Sequence, residues 1–223
     1  MKILFISGTD TGVGKTLASA LLCRDLLSRG LRVGYYKPVQ TGAEEVNGTF
    51  LSVDTEFVKS ICSDALQVTE PLMLKLPASP HLAAQCENVA IDIEEIVQKA
   101  ISTQGLDYLI VEGAGGLAVP FNNDCDMAGL CKKLEAELVI VTRANLGTLN
   151  HTFLSVDYAE TFELKPWLII SGCHQDADII ERDNLMMLSE KCEGRIMGKI
   201  PQIADLDTED FKGLDLPAVK FKV

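Results

Sequence analysis

Nine residues, Gly8-Thr9-Asp10-Thr11-Gly12-Val13-Gly14-Lys15-Thr16, constrain this chain more than any other stretch. They follow a short apolar run, Ile3–Ser7, and open a stretch, 15–29, with helical periodicity. There Leu17, Leu21, Leu22 and Leu26 share one face, Arg24, Asp25, Ser28 and Arg29 lie mostly elsewhere, and Gly30 provides a stop. A strand, a glycine-rich turn and a helix in that order form the setting of a phosphate-binding loop. The N–H groups of such a loop and of the helix N-terminus make a nest for anionic oxygens. The expected cradle is Gly12, Val13, Gly14, Lys15, Thr16 and Leu17. Lys15 reaches the β- and γ-phosphates, the Thr16 hydroxyl serves Mg2+, and Gly12 and Gly14 let the backbone come close. The usual pattern has a glycine where this chain has Thr9.

Further apolar runs at Val33–Pro38, Tyr108–Glu112, Leu138–Thr142, Trp167–Ser171 and Arg195–Ile200 suit strands buried between two helix layers. Helical stretches are expected near 53–63, 92–104, 126–135, 149–162 and 181–191. Asp92 and Glu95 have capping-box spacing at the start of the second. Alternating strand and helix predicts one α/β domain over 1–223, with a doubly wound, mostly parallel sheet and helices on both faces. Segment 40–91, with Pro71, Pro77 and Pro80, is the least regular. A net charge of -12 argues against a nucleic-acid partner or an anionic membrane surface. No apolar stretch approaches the length of a membrane span, and the N-terminus lacks the pattern of a signal peptide. Seven cysteines without a CxxC pair read as thiols of a reducing compartment, so the expected location is cytoplasmic.

A second motif, Val111-Glu112-Gly113-Ala114-Gly115-Gly116, ends an apolar run. A carboxylate there would stand near the loop as an acidic partner of Mg2+, and the glycines would leave room for phosphate or substrate. GTDTGVGKT, together with YKPVQTG at 36–42, Asp54, SPHLAAQ at 79–85, VEGAGG at 111–116, NLGTLNH at 145–151 and GKIP at 198–201, resembles the dethiobiotin synthetase family in order and over nearly the whole chain.

That resemblance implies a reaction. CO2 adds to one amine of 7,8-diaminononanoate, ATP phosphorylates the carbamate, and the second amine closes the ring to dethiobiotin, releasing ADP and phosphate. It makes Lys37 the catalytic lysine, with Lys15 flanking the migrating phosphoryl group. Thr11 and Thr41 would bond the carbamate or amine end. Thr16, Asp54 and Glu112 would hold Mg2+. Gly113, Ala114 and Gly115 would line the nucleotide site. Leu146, Gly147, Leu149 and Asn150 would bind the substrate's chain and carboxylate, with a second subunit completing the site in a homodimer. Where the family often has an asparagine after the fifth strand, this chain has Ser171, Gly172 and Cys173. Base recognition then falls to Ser171, Gly172, Pro201, Gln202 and Ile203, and triphosphates other than ATP stay open.

Two other readings stand beside this one. Cobyrinate-type amide synthases normally carry an added glutaminase domain, for which this chain is short. Positioning ATPases that switch as dimers carry a signature lysine where this chain has Asp10. The histidines His81, His151 and His174 lack metal-ligand spacing and read as structural or surface groups, His81 also as a neighbour of the substrate.

Overall fold

The computed structural model describes residues 1–203 and 216–223. The first strand, β1 (Lys2–Gly8), lies at the centre of a sheet whose other strands come from far along the chain. Leu4 and Ile6 point into one apolar layer and Phe5 into the other, all fully buried. Both faces of the strand are therefore dry, which explains an unbroken apolar run instead of an alternating one. The helix α1 (Lys15–Ser28) follows the loop and packs on one face.

The chain then forms β2 (Val33–Tyr36), β3 (Val39–Thr41), β4 (Glu44–Val46), β5 (Thr49–Leu51), α2 (Val53–Ile61), β6 (Gln67–Thr69), β7 (Leu72–Leu74) and α3 (Pro80–Glu87). After these come α4 (Ile93–Ser102), β8 (Tyr108–Gly116), α5 (Met127–Lys133), β9 (Glu137–Arg143), α6 (Thr148–Thr161), β10 (Trp167–Cys173), α7 (Ile179–Lys191) and β11 (Ile196–Pro201). Seven strands make one sheet in the order β11-β10-β9-β1-β8-β2-β6, with every described pairing parallel. Helices cover both faces, as the alternation of elements predicts.

The largest departure from the sequence reading lies in segment 40–91. It is not irregular throughout. It adds the edge strand β6, the parallel pair β3–β7, the hairpin β4–β5 and helix α3. The strand expected over Val33–Pro38 stops at Tyr36, and Pro38 has no N–H for a ladder. The stop places Lys37 just beyond the sheet's edge of regular pairing. Asp92 caps α4 as its spacing suggests, accepting from the N–H groups of Glu94 and Glu95.

Residues 216–223 lie across α1. The Phe221 N–H donates to Asp25 Oδ2 at 3.0 Å, Arg29 donates to the Phe221 carbonyl at 2.6 Å, and Arg24 donates to the Leu216 and Pro217 carbonyls. This strap fixes the outer side of the helix that begins in the phosphate loop.

Candidate active site

Ligand sites of open parallel sheets form at the C-terminal ends of the strands, beside the point where chain order reverses. Here that point is β1, which has β8 on one side and β9 on the other. Its end, Gly8, runs directly into the loop. Gly12 and Gly14 take left-handed φ of 71° and 98°, which a side chain would strain. A Cβ on Gly14 would also come within 2.9 Å of Ser171 Oγ. Lys15 Nζ donates to the Asp10 carbonyl at 2.9 Å across the loop. Its burial lowers the ammonium's pKa to about 8, even though Glu112 pulls the other way.

The register sets Glu112 opposite Ile6 of β1, so its carboxylate reaches the start of α1. The Thr16 hydroxyl lies 2.8 Å from Glu112 Oε1 and 3.1 Å from Asp54 Oδ1. Asp54 sits in the first turn of α2, where Ser52 is the cap: its hydroxyl accepts from the Thr55 N–H. Asp54 is thereby free for the site instead of capping the helix. Lys37 Nζ lies 2.5 Å from Asp54 Oδ2 and 3.1 Å from Glu112 Oε1. Burial alone would lower the Lys37 pKa; the charges of Glu112 and Asp54 outweigh it and hold the ammonium above its ordinary range. Burial likewise works against the Asp54 carboxylate, and the Lys37 charge outweighs it and holds the carboxyl low.

Thr16, Lys37, Asp54 and Glu112, named from sequence, thus meet in one cluster. The cluster contains a further residue, Tyr35, which the sequence reading missed. Its hydroxyl donates to Glu112 Oε2 at 3.0 Å from a fully buried position. An apolar strand with a tyrosine reads as core packing, and only the pairing of β2 with β8 shows where the hydroxyl points. Arg143 was missed too; its Nη2 donates to the Gly12 carbonyl at 2.7 Å and ties β9 to the loop.

The oxygen set suits a hard cation. The Thr16 hydroxyl has one proton and faces two carboxylate oxygens, so it cannot satisfy both. A surplus of anionic oxygen at one point is the donor set that Mg2+ takes.

Beside the loop lies a cavity of roughly 380 Å³. Its walls include Ser171, Gly172, Pro201, Gln202 and Ile203, all expected at the base, together with Asn145 and His174, which were not. His174 is held there by Glu181, through Nδ1 at 2.9 Å and through its N–H at 3.0 Å. A smaller cavity of about 130 Å³ brings Leu146 and Gly147 beside Thr9, Asp10 and Val13. Helix α6 begins at Thr148, one residue before the expected start. Leu149 packs toward the core and Asn150 is exposed, so neither lines this cavity. Thr11 is exposed on the loop, and Thr41 is half-buried on β3 with its carbonyl taken by Gln40. Of the β8 glycines, Gly115 and Gly116 face the loop. The space at Gly113 instead belongs to Phe5 and Met127, a packing requirement in place of the expected room for phosphate. Ala114 packs against the core. His81 lines a separate cavity with Asn122, Asn123 and Asp124.

A parallel sheet flanked by helices, with a glycine loop, lysine and threonine at its central strand and two carboxylates beside them, defines a P-loop nucleotide-binding protein. Solved structures agree on the fold. MinD of Aquifex aeolicus in complex with MinC aligns with a TM-score of 0.59 at 14% identity, over 92% of this chain and 83% of that one. A ParA family ATPase from Chlorobium tepidum gives 0.56 at 17% identity, over 92% and 85%.

A family model described as an AAA domain matches residues 2–210. The ATP-dependent dethiobiotin synthetase BioD of Anoxybacillus flavithermus is 38% identical over 92% of this chain and 94% of its own length. The proteins of the same name from Methanococcus vannielii and Bacillus subtilis are 36% and 34% identical, over 96% and 94% of this chain and 100% and 91% of theirs. The chain belongs to the dethiobiotin synthetase family and is accordingly an enzyme of the ligase class.

Proposed function

We propose that this enzyme closes 7,8-diaminononanoate and CO2 into the cyclic urea dethiobiotin at the expense of ATP. The observation that carries the reading is the buried Lys37 ammonium, held between Asp54 and Glu112 at the mouth of the phosphate loop. A carbamate is a poor electrophile until one oxygen becomes a phosphate leaving group. Phosphoryl transfer needs positioned charge more than covalent help from the protein.

Each residue then has a task. The loop N–H groups and Lys15 hold the triphosphate. Lys37 neutralises the carbamate and the phosphoryl group moving onto it, exchanging one of its carboxylate partners for the substrate's anion. Thr16, Asp54 and Glu112 would hold Mg2+, which supplies charge neutralisation for the phosphates. Thr11 and Thr41 orient the carbamate end. Closure by the second amine breaks the bond to phosphate and releases it. The cavity of Ser171, Gly172 and Gln202 takes the base. Among the described residues this cavity draws no asparagine from the stretch after β10, only Asn145 from the stretch after β9, and weak discrimination among triphosphates is part of this reading.

The substrate's aliphatic chain and carboxylate belong near Leu146 and Gly147. Leu146 is 80% exposed, and in this reading a second subunit covers it in a homodimer. No helix among the described residues is long and apolar enough to cross a membrane; the cytoplasmic location rests on the seven cysteines without a CxxC pair. Residues 1–223 act as a single catalytic domain in this reading.

The test is release of ADP with and without the diamine and bicarbonate. Turnover that requires both supports ring closure. Turnover without them, stimulated by DNA or lipid, would point instead to a positioning switch.

A further inference from the structure

The helices that carry Thr16 and Asp54 also carry two thiols that meet away from the phosphate site. Helix α1 holds Cys23, fully buried. The residue that closes α2 is Cys62, half-buried, its N–H donating to the Val58 carbonyl. The helices pack side by side. Cys62 Sγ lies 3.6 Å from the Ala20 carbonyl, and Ala20 is one turn before Cys23 on the same helix. That contact sets the Cys62 side chain against the turn of α1 that carries Cys23. No step of the proposed reaction uses either sulfur.

We propose that Cys23 and Cys62 are a two-electron redox site that closes into an intramolecular disulfide when a hydroperoxide reaches Cys62. The exposures of the two thiols divide the labour. Cys62 can meet a small oxidant from solvent; Cys23 cannot, and can react only with its neighbour. The electrostatics agree. The neighbouring Cys23 side chain holds the Cys62 thiol below its ordinary range, while burial pushes Cys23 well above its own.

The Cys62 thiol gives up its proton and the thiolate attacks one oxygen of hydrogen peroxide; the O–O bond breaks, Cys62 becomes a sulfenic acid, and the hydroxide that leaves takes up the released proton as water. The Cys23 sulfur then displaces the sulfenic oxygen, the S–S bond forms, and a second water leaves with the thiol proton. One peroxide is reduced, and two thiols are oxidised. The sulfurs must close to about 2 Å, a movement that side-chain rotation at the end of α2 can supply.

The reduced enzyme is treated with hydrogen peroxide, quenched with iodoacetamide in denaturant, digested and mapped by mass spectrometry. The expected result is two fewer alkylatable thiols than the seven of the sequence, a peptide pair joining Cys23 to Cys62, and full reversal by dithiothreitol. The joined form should unfold roughly 5–10 °C higher, since a cross-link restricts the unfolded chain. Cys62→Ser should gain neither the cross-link nor the shift, with its ring-closing activity unchanged. Cys23→Ser should instead leave a Cys62 sulfenic acid that dimedone traps. Should that buried substitution fail to fold, the peptide map of the unmodified sequence still decides. Joining of Cys62 to the exposed Cys86, oxidation of Cys62 to a sulfinic acid with Cys23 still free, or a cross-linked form that unfolds at lower temperature would each overturn the proposal.

Discussion

Replacing Tyr35 with phenylalanine removes one hydroxyl and leaves the ring's packing in place. That hydroxyl donates to Glu112 Oε2 at 3.0 Å, while Lys37 and Thr16 both take Oε1. Glu112 is 1% exposed, so water cannot readily replace the lost donor. A hydrogen bond to a charged group contributes about 1.5–3 kcal/mol, and a buried acceptor left unpaired costs a similar amount. For a chain of this size, each kcal/mol moves the thermal midpoint by about 2–4 °C, so Tyr35→Phe should lower it by about 3–12 °C. Tyr35 touches no reacting atom in the proposed mechanism. It orients the carboxylate assigned to Mg2+, and such positioning partners typically change metal affinity or activity about 10–100-fold. The Mg2+ concentration for half-maximal turnover should therefore rise within that range. In a Glu112→Gln background the same substitution removes only a neutral bond, worth about 1 kcal/mol. The double-mutant cycle should therefore show coupling of about 0.5–2 kcal/mol. Equal costs in both backgrounds, or an unaltered Mg2+ dependence, would refute the argument.

Lys37→Ala should lower kcat by at least about 100-fold, and near wild-type turnover would remove Lys37 from catalysis. It should also cost about 3–5 kcal/mol of stability in metal-free buffer, because Asp54 and Glu112 are left facing each other; added Mg2+ should restore part of that, read by urea titration. Values of kcat/KM for ATP, CTP and GTP should fall within about a hundredfold of one another, and a preference for ATP beyond that, about 2.7 kcal/mol, would mean that the cavity reads the base firmly. The Asp107 carboxyl is held at about 2, against an ordinary 3.8, by hydrogen bonds from the Arg32 side chain and N–H. A lowered carboxyl stabilises fully above its unfolded pKa and loses that contribution as pH falls through the folded value. The denaturation midpoints of the unmodified protein and Asp107→Asn should therefore differ by a constant amount above about pH 5 and converge as pH falls toward 2.

Local signals carried much of this molecule. The run Ile3–Ser7, the glycines after it and the leucine stripe of α1 specify their own conformations within a few residues. Of the clustered residues, Thr16, Lys37 and Glu112 were legible because each stands in a motif at an element's end, whereas Asp54 stands in none and was reached only through the family resemblance. Tyr35 and Arg143 were not, because their roles arise from strand pairings between distant segments. A tyrosine in a buried strand gives no sign of what its hydroxyl meets. The strand β6 has three residues, two of them polar, too few for alternation to show. Helix α3 did leave a trace, Ser79-Pro80 in cap and first-turn positions, which the neighbouring prolines obscured.

The central place of β1 has a consequence for synthesis on the ribosome. Of the strands in its sheet this one is made first, and its partners are Tyr108–Gly116 and Glu137–Arg143. At about 5–20 residues per second, roughly 7–30 s pass before both partners have been polymerised, longer still before they clear the exit tunnel. For that interval Lys2–Gly8 is an apolar segment with both edges open, and the loop after it has no frame. Nascent chains arrested before Arg143 should accordingly be strong clients of chaperones and unable to retain nucleotide.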